Sequence, residues 1–259
     1  MQPQEEAQLA SVKGVQKSLT PGPTWDHFAV NLKMPQFQDD RVRQAFQLAL
    51  DYKAFSEPLG KGWLYAGPIH AMFPEAIPPE EIAKMPGYNP ATKAADLANA
   101  QKLMEAAGFP QGQGIKFKQI NSSAASLDSS VRLKEMWSKA FPKMDVSVST
   151  NTDYAQFTTL LNGRTYEARS YNHTSVPDVV ADAVTYHHTK GGRNYQSYSR
   201  PWADAAMDAG VDVARDVAAA DQVTMQWLSP EDLDRVLAPA SFLGSAPHFI
   251  ERVLQRWSE

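Results

Sequence analysis

Residues 90–171 switch repeatedly between two hydrophobic periods, and few architectures accommodate that alternation. Residues 115–120 (IKFKQI) and 144–150 (MDVSVST) alternate apolar and polar positions, the period of a half-buried strand, and TYEARSY (165–171) reads as a third strand. Helical patterns separate them. Asn89-Pro90 opens a helix as cap and first residue, Leu97, Ala100, Met104 and Ala107 line one face of it, and Gly108 stops it as a left-handed cap. A second helix is expected over about 128–141. Tyr154, Phe157, Leu160 and Leu161 mark a third, ending at Gly163. Helix, strand, helix, strand, helix, strand defines an α/β unit with strands that are at least partly parallel. In such sheets ligands lie in the crevice beyond the carboxyl ends of the strands. That rule singles out the segments after Ile120 (NSSAAS) and from Tyr171 onward (YNHTSVPD).

Upstream, residues 14–20 and 26–33 read as short strands separated by the turn-forming PGPT. PQFQDDRVRQAFQLALDY (35–52) then places Val42, Ala45, Phe46, Ala49 and Leu50 on one helical face. Asp39 or Asp40 is the natural N-cap, and a second acid suits the positive end of the helix dipole. Arg41 and Arg43 point away from the stripe, toward solvent or a neighbouring element. Downstream, residues 186–201 (YHHTKGGRNYQSYSRP) form a tyrosine-rich loop. Helical residues 202–237, interrupted at Gly210, and an amphipathic stripe of Phe249, Ile250, Val253, Leu254 and Trp257 follow.

Composition excludes several classes. The 259 residues contain no cysteine, which rules out disulfides, thiolate metal sites and cysteine nucleophiles. A net charge of −4 with scattered basic residues gives no electrostatic footprint for nucleic acid. No apolar run approaches the roughly 20 residues needed to span a bilayer, and the first 20 residues are too polar for a signal peptide.

Reactive motifs are also missing from the sequence. No GxSxG elbow is present, and Gly112-Gln113-Gly114 precedes a strand instead of following one, so it reads as a turn. Adjacent His187 and His188 diverge on either a strand or a helix, a poor geometry for one metal ion. Asp178 and Asp182 are an i, i+4 acid pair of a kind common on exposed segments. RSYNH (169–173) and RNYQSY (193–198) are different. They offer guanidinium forks, amides and tyrosine rings at a strand end and in the following loop, the residue types that enclose and orient a small polar ligand. A structural tyrosine loop uses the same residues, and the residues alone leave both readings open.

Four strings occur in order: NLKMPQFQDDRVRQAFQLALDYKAF, YNPATKAADLANAQKLMEAAGFPQG, DVSVSTNTDYAQFTTLLNGRTYEARSYN and RNYQSYSRPWADAAMDAG. This succession resembles the bacterial extracellular solute-binding proteins of oligopeptide, dipeptide and nickel ABC importers over roughly residues 14–215. The resemblance implies a periplasmic-binding-protein-like lobe, a mixed sheet flanked by helices, with remnants of a first lobe. Residues 1–25 then correspond to the first lobe, 26–235 to the second, ligand-binding lobe, and 236–259 to a segment returning to the first. It further implies a monomeric periplasmic receptor that captures a peptide or peptide-like solute and delivers it to a membrane permease, without cofactor or catalysis. The signal peptide and most of the first lobe would lie outside this chain, and half of a two-lobed trap would bind weakly.

The matched positions that face the cleft in the family are Tyr171, Asn172, His173, Arg193, Asn194 and Tyr195. Arg169 and Tyr198 rank behind them, strand alternation leaving their direction open. One departure concerns the ligand: oligopeptide binders carry an aspartate here that pairs with the peptide α-amino group, and YNHTSVPD lacks it at the matching place. The alternatives from other classes are a hydrolase, metal-dependent or otherwise, using His173, His187 or Asp178, and an interaction module presenting the tyrosine loop to a partner.

Overall fold

In a computed structural model of the chain, the structure describes residues 12, 14, 22–59, 70–73, 76–175 and 179–209. The expected strand at 14–20, the helix beyond Gly210 and the stripe at 249–257 therefore lie outside the described residues, as does Asp178. Two compact units divide the chain, residues 1–65 with 79–173 and residues 66–78 with 174–259. No helix among the described residues is long and apolar enough to cross a membrane.

The first unit is built on β1 (Thr24–Val30), β2 (Lys116–Asn121), β3 (Asp145–Val148) and β4 (Ala168–Thr174), in the sheet order β1-β4-β2-β3. β2 pairs in parallel with both β3 and β4, with Phe117 opposite Val146 and Ile120 opposite Arg169. Contacts of Trp25 with His173 and of His27 with Tyr171, together with a bond from Asn31 N to Glu167 O at 2.9 Å, fix β1 as antiparallel to β4. The sheet is mixed, as expected.

Helices α1 (Asp40–Leu48), α2 (Lys93–Ala106), α3 (Ala124–Ala140) and α4 (Tyr154–Gly163) belong to this unit. Alternation along the strands divides them between two faces. Phe117 points toward Trp137 of α3 and Phe46 of α1, whereas Tyr171 packs on Phe157 of α4. The first face is an aromatic core beside α1, and farther along β2 it buries a polar cluster of Gln119, Asn121, Ser130 and Ser170 under α3. Phe37, Val42, Phe46, Phe117, Trp137 and Phe141 are all buried in the core, and the Trp137 indole N–H donates to Phe46 O at 3.0 Å.

The acid-arginine cluster ahead of α1 caps and clamps. Asp39 is the N-cap, accepting from Arg41 N at 2.9 Å, and it also takes the Arg41 guanidinium through both oxygens. Those bonds hold the Asp39 carboxyl below the usual carboxylate range. Arg41 Nη1 reaches on to Ala106 O at 2.8 Å, at the last turn of α2. Lys93, the first residue of α2, returns the contact by donating to Leu48 O at 2.8 Å and to Leu50 O, carbonyls at and just beyond the end of α1. Each helix thus supplies a cation to the negative end of its antiparallel neighbour. Arg43 pairs with Asp40 and donates to the carbonyls of Phe37 and Gln38.

Asn89 caps the turn into α2, and Gly108 follows its end with φ +89°, as read from the sequence. α4 ends at Gly163, as read from the sequence, and the left-handed cap falls on Arg164 at φ 52°. The second unit contains α5 (Val179–His187), the loop 188–200 and α6 (Pro201–Ala209).

Candidate ligand-binding site

On the α4 face of the sheet, the ends of β1 and β4 bring Trp25, His27, Arg169, Tyr171 and His173 together, with Tyr166 just ahead of β4. Alternation puts Arg169, Tyr171 and His173 on one side of β4, so Arg169 belongs beneath the two residues ranked ahead of it. Arg169 is 2% exposed. Its Nε–H donates to the Tyr166 hydroxyl at 3.2 Å and its Nη1–H to His27 Nε2 at 2.9 Å. The guanidinium carbon lies 5.4 Å from the Tyr171 ring centroid, within cation–π range. Burial raises the Tyr166 hydroxyl above its ordinary pKa, and the Arg169 charge acts against that rise. His173 is buried, accepts a bond from the Trp25 indole N–H, and meets the His27 ring at 5.0 Å between centroids.

Asn172 points to the opposite side, is exposed, and hydrogen-bonds Asp26 across the β1–β4 pair. Asp26 keeps solvent access, yet crowding at the sheet end pushes its carboxyl above the usual range, while the bond with Asn172 pulls it back. A groove of about 410 Å³ also opens between α4 and β2, lined among others by Lys118, Ile120, Asn121, Phe157, Tyr166 and Glu167. Tyr171, Asn172 and His173 are not among its lining residues.

Arg193, Asn194 and Tyr195 belong to the second unit. The exposed Arg193 guanidinium donates to the Tyr186 hydroxyl at 2.8 Å and lies over the same ring. Tyr195 is half-buried. Asn194 is 1% exposed, and its amide is spent on the loop itself: Nδ2 donates to His188 O at 3.0 Å and Tyr198 O at 2.6 Å, and Oδ1 accepts from Tyr198 N at 2.9 Å. Gly191 makes this loop possible. A Cβ there would stand 2.4 Å from Val184 O and 2.7 Å from Thr185 O.

The two histidines at 187 and 188 diverge as geometry requires. His187 is half-buried against Tyr198, and burial lowers its pKa. His188 Nδ1 accepts from Lys190 N at 2.9 Å while Nε2 faces Asp208 at 3.2 Å. Among the described residues no group of three His, Asp or Glu side chains could hold a metal ion.

Trp25 and His27 were not legible as site residues. Period-2 alternation places them on one face of β1, but only the antiparallel register with β4 lays that face beside Tyr171 and His173.

Residues 1–196 match the sequence model of the bacterial extracellular solute-binding proteins, family 5 (middle), and the chain belongs to that family. No curated protein sequence matches it. Among solved structures, the Escherichia coli murein tripeptide binding protein MppA superposes with a TM-score of 0.65 at 17% identity, over 92% of this chain and 44% of its own. The ABC transporter substrate binding protein CtaP from Listeria monocytogenes gives 0.64 at 16% identity, over 90% and 46%. Haemophilus influenzae OppA, solved with the peptide RPPGFSPFR, gives 0.62 at 18% identity, over 84% and 40%. At these identities the likeness is one of fold. The chain spans less than half the length of each.

Proposed function

We propose that this chain forms the second-lobe portion of a periplasmic substrate-binding component of an ABC importer. It takes up a peptide or peptide-like solute without transforming it and passes it to a membrane permease. Residues 26–235 make that lobe, residues 1–25 and 236–259 adjoin the first, and the receptor works as a monomer. The observation that carries the reading is the family match over residues 1–196, together with the aromatic surface of Tyr171 and Phe157 on β4 and α4. Tyr171 supplies an apolar wall with a polar tip, with the buried His173 packed on the same side of the strand, and Asn172 offers its amide from the opposite side. Arg193 and Tyr195 are the ligand-facing candidates of the second unit, and Asn194 shapes the loop that carries them.

Calorimetric titration of the full chain with di- to nonapeptides, free or acetylated at the amino terminus, tests the assignment. Saturable binding is expected, weakened on the order of tenfold in Tyr171→Ala, the loss of about 1.4 kcal/mol of contact. Absence of saturable binding across the panel at millimolar peptide would overturn it.

A further inference from the structure

Building on that reading, we infer that Arg169 is a positioning residue for Tyr171 and that its hold depends on His27 remaining uncharged. The solute-facing surface of β4 is thereby coupled to pH.

The argument starts from what each group can do. Guanidinium N–H groups only donate hydrogen bonds, and arginine keeps its proton at any physiological pH. The 2.9 Å contact between Arg169 Nη1 and His27 Nε2 therefore requires an unprotonated Nε2, which makes His27 a neutral ring with its proton on Nδ1. The indole N–H of Trp25 likewise only donates, so His173 Nε2 is also bare. Two neighbouring imidazoles, 5.0 Å apart, are thus both held neutral by donor-only partners.

Tyr171 rests on this arrangement. Its ring lies 5.4 Å from the Arg169 guanidinium, 5.9 Å from the His27 ring at an edge-on 80°, and 5.3 Å from Phe157 of α4. Arg169 has no room to retreat, being 2% exposed and tied to the Tyr166 hydroxyl. A proton taken from solvent onto His27 Nε2 abolishes the acceptor and sets two cations against each other in a site that water screens poorly. Relief comes by moving His27 or Arg169, and either movement removes part of the support under Tyr171.

Among the described residues, the titratable and charged groups facing His27 are Arg169, Tyr171 and His173 from β4. Asp26, next to it on β1, turns its carboxylate to Asn172 on the other side of the sheet. Tyr166 faces Arg169 from the turn before β4. From α4 the packed residue is Phe157, which does not titrate.

The test compares the full chain with His27→Gln, whose amide oxygen can accept from Arg169 but cannot be protonated. Tyr171 ring resonances, followed by NMR without ligand from pH 7.5 to 5.5, should move with pH in the parent and stay fixed in H27Q. Affinity for the peptide RPPGFSPFR should fall about tenfold over the same range in the parent, one proton being linked to binding, and by much less in H27Q. Arg169→Lys, which keeps a donor but loses the planar fork, should shift the Tyr171 signals at pH 7.5. Static Tyr171 resonances in the parent, or equal movement in H27Q, overturn the proposal. Loss of peptide binding at every pH, with the Tyr171 titration intact, counts against the receptor reading and supports the brace.

Discussion

The two faces of the first unit's sheet are buried to a similar degree and by different means. Beneath α1 and α3, Phe46, Phe117 and Trp137 meet carbon to carbon, with ring centroids 4.9–6.3 Å apart. Beneath α4, the side chains of Tyr166, Arg169 and His173 are equally hidden, but each carries nitrogen or oxygen and each needs a specific partner. Hydrophobic burial is non-directional and roughly proportional to area, so the first face loses stability in proportion to the atoms removed. The second is a network in which one missing donor strands several acceptors. The aromatic core beside α1 keeps the unit folded, and the polar aromatic face determines the conditions under which its surface is in order.

Trp137→Ala tests that contrast most severely. Removing the indole from the core should cost about 3–5 kcal/mol, visible as a large drop in the urea midpoint. Peptide affinity should be unchanged wherever the variant is still folded. Arg169→Met comes next, at about 1–3 kcal/mol, because His27 and Tyr166 lose their shared donor while volume is largely kept. Here peptide binding should weaken more than stability predicts. Equal losses in both quantities for both variants would erase the distinction between the faces.

Asp39→Ala removes the cap of α1 and should cost about 1 kcal/mol at neutral pH. Its sign with pH is set by the depressed carboxyl of Asp39. The contribution is fully present above the unfolded value near 3.9 and is lost as pH falls through the lower folded value. Chemical denaturation at several pH values should therefore show a parent–D39A gap that is flat from pH 5 to 8 and closes in acid. That range is the one in which the opposite face is expected to titrate. The smallest effect is a gain. Arg164→Gly relieves the left-handed cap of α4 and should raise the thermal midpoint slightly, by about 0.5 kcal/mol of stability. A decrease would mean that contacts of the arginine side chain outweigh the strain of its backbone.

Much of the architecture could be read from local pattern. The alternating strands, the stripe through Val42 and Phe46, the Asn89 cap and the Gly108 stop all rest on residues close in sequence. The end of α4 at Gly163 was legible as well, but its left-handed cap falls on Arg164, which Thr165 N and Arg164 N close onto the last helical carbonyls, and an arginine carries no signal for a positive φ. The site was legible only in part. Tyr171 lies at the middle of β4 with Asn172 and His173 after it, and Asn194 has its amide atoms engaged by its own loop. Nothing in RNYQSY distinguishes an amide offered outward from one turned in.

By itself the sequence determined the class of fold, because hydrophobic period and capping chemistry act within one or two turns of chain and are written in neighbouring residues. It also placed the chain within its family. Only the tertiary structure decided that β1 runs antiparallel along β4, and so that His27 receives the Arg169 proton donor and Trp25 meets His173. Those residues are separated by more than 140 positions, and their pairing depends on a register that no local pattern specifies.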